Sequence, residues 1–153
     1  MSGGVLVIGI GNAFRCDDGV GPAVADAIAG RHIPGVQVMT DIGDPGSILD
    51  AWTGVDLAIV VDAAVSQPGT PGRVRRWTPA DGSRPGLVSS HMLGLAQAYS
   101  LGQALARLPS RLVVFTVDVA DVGHGDTLTP VVAGAVPCVV GAVEAELAST
   151  ESA

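Results

Sequence analysis

Val5-Leu6-Val7-Ile8-Gly9-Ile10-Gly11-Asn12 gives way within a few residues to Asp17-Asp18-Gly19-Val20-Gly21-Pro22. The first stretch is apolar without alternation from Val5 to Ile10, the pattern of a parallel strand buried on both faces. The second places Pro in the first turn of a helix, where its missing N–H costs nothing, and predicts a helix from Asp18 to about Gly30. Strand into helix is then the rule to the end of the chain. Val36 to Thr40 reads as a strand, and Asp44-Pro45-Gly46 turns the chain into a short helix over Ser47 to Trp52. Leu57 to Val61 is apolar throughout and ends on Asp62. Arg73 to Trp77 reads as an edge strand protected by its arginines. Ser89 and Ser90 can cap a helix running to about Leu108, and Arg111 to Val117 is another buried strand. Asp126 to Pro130 introduces a last helix, Val131 to about Leu147, with Pro137 implying a kink or break. The expected fold is a single α/β domain over 1–153, with 1–3 and 149–153 as loose termini. It is a doubly wound, mostly parallel twisted sheet of about five strands with helices on both faces.

Bulk composition agrees with that fold and removes several functions. With 48% apolar and 15% charged residues in 153, disorder is excluded. Every basic residue is Arg, so a Walker lysine, a Schiff-base lysine and a Ser–Lys dyad are impossible. A net charge of −7 argues against nucleic acid, and the cluster Arg73, Arg75, Arg76 is too small to reverse that. Cys16 and Cys138 stand in no paired spacing, which leaves no disulfide scaffold or Cys-based zinc knuckle. Cys16 is expected to be a small filler and Cys138 a core residue of the last helix. Met1-Ser2-Gly3-Gly4 lacks a basic n-region, and no apolar stretch is read as long enough to span a bilayer. A cytoplasmic monomer without a membrane or nucleic-acid partner is expected.

In doubly wound sheets, ligands bind outside the carboxyl ends of the strands. The polar residues expected there are Asn12, Asp17 and Asp18 after the first strand, and Asp41 and Asp44 after the second. Asp62 follows the third, Asp118 and Asp121 the last, and His91 lies in the first turn of the long helix. Carboxylates converging on one rim raise each other's pKa unless a cation sits among them. The first loop invites a dinucleotide and refuses it: Phe14 stands where a G-x-G-x-x-G loop needs its third Gly, and two aspartates would face the pyrophosphate. A metal uses the same residues better. Asp18, Asp62 and His91 offer two carboxylates and an imidazole with a position left open, a set suited to Ni²⁺ or Zn²⁺ rather than Ca²⁺ or Mg²⁺. Each also has an ordinary reading: Asp18 as a helix cap, Asp62 as a turn residue, His91 as a surface histidine. His32 suits a helix end, and His124, on a Gly-flanked loop, is a weaker candidate for touching substrate.

Taken in order, these motifs resemble a known family. Gly9-x-Gly11-Asn12, then Asp17-Asp18-Gly19-x-Gly21, resembles the opening signature of the hydrogenase maturation proteases, which trim a C-terminal extension from the nickel-loaded large subunit of [NiFe] hydrogenases. Val60-Val61-Asp62-Ala63, Ser89-Ser90-His91-x-Leu93-Gly94-Leu95 and Leu128-Thr129-Pro130 continue the likeness over nearly the whole chain. The resemblance implies metal binding at Asp18, Asp62 and His91. It also implies nickel supplied by the substrate, with zinc or cadmium as surrogates, and a hydrogenase large-subunit precursor as partner. Two stretches depart from the pattern: Asp41-Ile42-Gly43-Asp44 replaces Asp-Gly-Gly-Thr, and Thr116-Val117-Asp118 replaces a stretch with Gly and Pro. Both fall where the substrate tail is expected to pass, beside Asn12, Asp41, Asp44 and His124. Hydrolysis is expected to be metal-assisted, or assisted by a carboxylate such as Asp17 or Asp41 as general base. Neither a nucleophile elbow nor an H-E-x-x-H helix occurs. The alternative is a non-catalytic, nickel-dependent sensor of the same subunit, and a third reading is a small-molecule hydrolase.

Overall fold

The computed structural model describes residues 4–64, 70–79, 90–120 and 123–151, with backbone alone at 90–93, 150 and 151. Strand β1 (Val5–Ile10) leads through a 3₁₀ turn (Cys16–Gly19) into α1 (Val20–Ala29), then β2 (Val36–Asp41), α2 (Pro45–Trp52) and β3 (Leu57–Ala64). Strand β4 (Val74–Trp77), α3 (Ser90–Leu105), β5 (Arg111–Asp118) and α4 (Pro130–Glu151) follow. The sheet order is β2-β1-β3-β5-β4, parallel except for β4, which pairs antiparallel with β5 at the edge. The doubly wound α/β fold is as expected. Ser89 and Asp121, named above, lie outside the described residues.

Alternation along the strands sorts the core into two layers. Val7, Ile59, Val61, Val113 and Phe115 face α1 and α4, whereas Leu6, Ile8, Ile10, Val60 and Val114 face α2 and α3. Two glycines let α1 come close to the sheet. A Cβ on Gly9 would strike the Gly21 carbonyl, and one on Gly21 would strike the carbonyls of Ile10 and Val61. The opening motif is therefore a packing device as well as a loop.

The structure corrects the reading of the last helix. By length and composition, Pro130–Ser149, with a mean hydropathy of 1.7, is long and apolar enough to cross a bilayer. Its buried positions Val132, Ala135, Val139, Val140, Val143 and Leu147 recur at helical spacing and pack into the core beside α1. Cys138 is exposed rather than buried, because it falls on the side of α4 away from that stripe. The helix passes Pro137 without a break and continues through Glu151, so residues 149–151 are helical rather than loose. Pro137 and Ala133 both lie on the outer side, where water can satisfy the carbonyl that loses its donor.

Candidate active site

The site begins with one row of the sheet. Ile10 is in register with Asp41 on one side and Asp62 on the other, and Asp62 with Thr116 beyond. Partners in a parallel register point to the same face, and Ile10 belongs to the layer covered by α2 and α3. Asp41 and Asp62 therefore project toward those helices from either side of β1, their Cα atoms ~10 Å apart across two strand spacings. Asp62 is fully buried and sits inside β3, which runs on to Ala64, rather than in the turn after it.

The loop after β1 brings in a third carboxylate. Asp18 is 5% exposed, and its Oδ2 accepts a hydrogen bond from the Asn12 N–H at 2.9 Å. It does not cap α1, whose N-cap is Gly19 without a side-chain bond. Asp18 is thereby held back over the end of β1, and its 3₁₀ turn packs against β3, the strand that carries Asp62. Gly11, with φ of +151°, allows this: a Cβ there would meet the Asp18 carbonyl.

Asp17 points elsewhere. Its fully buried carboxylate accepts from the Ala120 N–H (2.9 Å), the Thr129 N–H (2.7 Å) and the Thr129 hydroxyl (2.9 Å). Asp118, also buried, accepts from the Thr70 N–H and pairs with Arg75 at 3.3 Å. Asp41 accepts from the Gly43 and Asp44 N–H groups, and the exposed Asp44 caps α2 through Ser47. Bonds from the Ser47 hydroxyl and N–H hold the Asp44 carboxyl below the ordinary carboxylate range. Asp17, Asp18, Asp41, Asp44 and Asp118 thus each accept bonds from donors of their own.

His91 lies in the first turn of α3, on the face toward which Asp62 projects; its side chain is outside the described part. Gly94 fixes where that turn begins, since a Cβ there would run into the Gly43 backbone of the β2–α2 loop. Among the described residues, no three His, Cys, Asp or Glu side chains gather as a metal site. Asp18 and Asp62 remain as two buried oxygen donors near the carboxyl ends of neighbouring strands, and the helix start that bears His91 is seated on the β2–α2 loop through Gly94. Hard and borderline divalent ions both accept such a set, and the imidazole would favour the borderline ones. Asn12 and His124 are exposed at the same rim, and the His124 carbonyl accepts from the Cys16 thiol at 3.7 Å.

Sequence reading missed two features of this rim. Phe14 and Ile42, each 75% exposed, stand out from the loops after β1 and β2. The other is Thr129 as the partner of Asp17. Apolar residues in polar loops were the available signal for the first; nothing local announced the second.

Fold and site together define a doubly wound α/β protein with buried aspartates near the carboxyl ends of its central strands. The chain is 30% identical over 134 residues to the Hydrogenase 2 maturation protease of Escherichia coli, covering 84% of this chain and 80% of that one. It is 29% identical over 152 residues to the hydrogenase expression/formation protein HupD of Rhodobacter capsulatus, covering 94% and 70%. The solved structure of the hydrogenase maturating endopeptidase HybD of E. coli superposes with a TM-score of 0.81 at 25% identity, over 98% of this chain and 94% of that one. No family model matches. The chain belongs to the hydrogenase maturation protease family.

Proposed function

We propose that this protein is an endopeptidase that removes a C-terminal extension from the large-subunit precursor of a [NiFe] hydrogenase. In this reading, Asp18, Asp62 and His91 recognise the nickel the precursor already carries. The observation that supports it most is the placement of Asp18 and Asp62. Two buried carboxylates, remote in sequence, are brought to adjacent strand ends, one of them held by the Asn12 N–H. Both carboxylates are buried beside the carboxyl ends of the strands, where such sheets bind their ligands, and that position fits a role toward a substrate's ion. The ion, once docked, would supply carbonyl polarisation and a more acidic water. Asp41, on the other flank of β1, is the general base in this reading, with its Oδ1 engaged by the Gly43 and Asp44 N–H groups.

The test is to incubate the purified protein with nickel-loaded precursor and follow the precursor's mass. Loss of a C-terminal peptide, abolished by Asp18→Ala or Asp62→Ala, is the expected outcome. A stable complex without shortening would replace the peptidase by a nickel-dependent sensor. Normal processing by Asp18→Ala would remove Asp18 from the recognition set.

A further inference from the structure

Asp17 and Asp18 are neighbours with opposite destinations. Asp18 turns to Asn12 at the end of β1, whereas Asp17 reaches a segment more than a hundred residues away, at Thr129 ahead of α4. The loop before it is joined to that same segment. Cys16 N–H donates to the Gly125 carbonyl at 2.8 Å, Gly125 N–H donates to Phe14 at 2.9 Å, and Arg15 and Gly125 form a parallel bridge. Cys16 takes a left-handed conformation, φ +48°, that a side chain rarely adopts without outside support. The 3₁₀ turn carrying Asp18 has little to hold it by itself: its N-cap, Arg15, makes no side-chain capping bond.

We propose that Asp17 is a positioning residue. Its carboxylate clamps the turn to Ala120 and Thr129, and this clamp fixes the backbone from which Asp18 meets the substrate. The inference rests on the reading of Asp18 as a contact to the precursor's ion. It assigns Asp17 no proton transfer. The chemistry of the clamp explains the residue types: a carboxylate can accept from two N–H groups and a hydroxyl together, and Thr129 supplies both kinds of donor. Asparagine would present donors to donors on one side.

The experiment measures kcat/KM on nickel-loaded precursor together with amide hydrogen exchange, well below the melting temperature of each variant. Asp17→Asn is expected to lower kcat/KM by about 10- to 100-fold, the usual effect of losing a partner that orients a metal-contacting group. Exchange at Phe14–Asp18, Ala120 and Thr129 should quicken. Thr129→Val, which removes only the hydroxyl, should shift both readouts in the same direction by less, and Thr129→Ser should restore them. Should Asp17→Asn fail to fold, the Thr129 pair decides. Faster exchange with wild-type processing would overturn the clamp's role. Lost processing with unchanged exchange would equally overturn it, pointing to Asp17 as a chemical participant. Failure of the underlying site reading has a separate signature: Asp18→Ala processing normally, whatever Asp17 does.

Discussion

At the scale of single residues, Asp17, Asp18, Asp41, Asp44 and Asp118 are told apart by their donors. Asp18 and Asp62 stand at the strand ends of the opening and third strands; Asp17 and Asp118 tie segments together; Asp41 and Asp44 shape the β2–α2 turn. Asp44 gives a test of this sorting that does not depend on activity. Its bonds to Ser47 exist for the ionised carboxyl, so its folded-state pKa lies below the unfolded one. The stability it contributes is present above the ordinary carboxylate range and is lost as pH falls through the lowered value. Asp44→Ala should therefore lower the melting temperature near neutral pH, and the difference from wild type should close in strong acid. Asp44→Asn, which keeps a capping oxygen, should melt close to wild type near neutral pH.

At the scale of elements, glycines decide how closely the layers approach. Gly21→Ala forces a methyl between α1 and the carbonyls of Ile10 and Val61, and should destabilise by about 1–3 kcal/mol, as overpacking does. Gly134→Ala, in α4 with open space around it, should instead stabilise by about 0.5–1 kcal/mol through helix propensity. Denaturant titration of the two variants side by side checks both signs. Gly94 belongs with Gly21, because its contact with Gly43 seats the helix start that bears His91. Strand β3 shows where reading by apolarity stops short. The run of hydrophobic residues ends at Val61, but pairing with β5 carries the strand through Asp62 to Ala64.

At the scale of the whole molecule, one sheet joins two core layers, and Trp52 anchors one of them. It is fully buried, and its indole N–H donates to the Arg107 carbonyl at 3.1 Å, linking α2 to the chain just after α3. Trp52→Ala should cost about 3–5 kcal/mol, a large share of the roughly 5–15 kcal/mol that holds a domain folded. Chemical denaturation is the measurement. The likeness to HybD extends over 98% of the chain, so both core layers share its architecture.

Much of this was open to reading from the residues alone. Unbroken apolar runs at Val5–Ile10 and Leu57–Val61, with turn residues between, determined a parallel sheet layered by helices, because burial on two faces leaves a periodic trace in the chain. The motif order also determined that Asp41 and Asp118 close their strands and that Asp17 and Asp18 follow the first. Tertiary structure alone decided what each of them does there. Asp17 and Asp18 are indistinguishable by type and spacing, and their roles separate only because Thr129, 112 residues further on, folds back to meet one of them. Cys138 and Pro137 likewise became surface residues only when the orientation of α4 was set by its packing against α1. Local patterns record how much surface a segment must bury; partners distant in sequence leave no such record, since only the closed chain brings them within bonding distance.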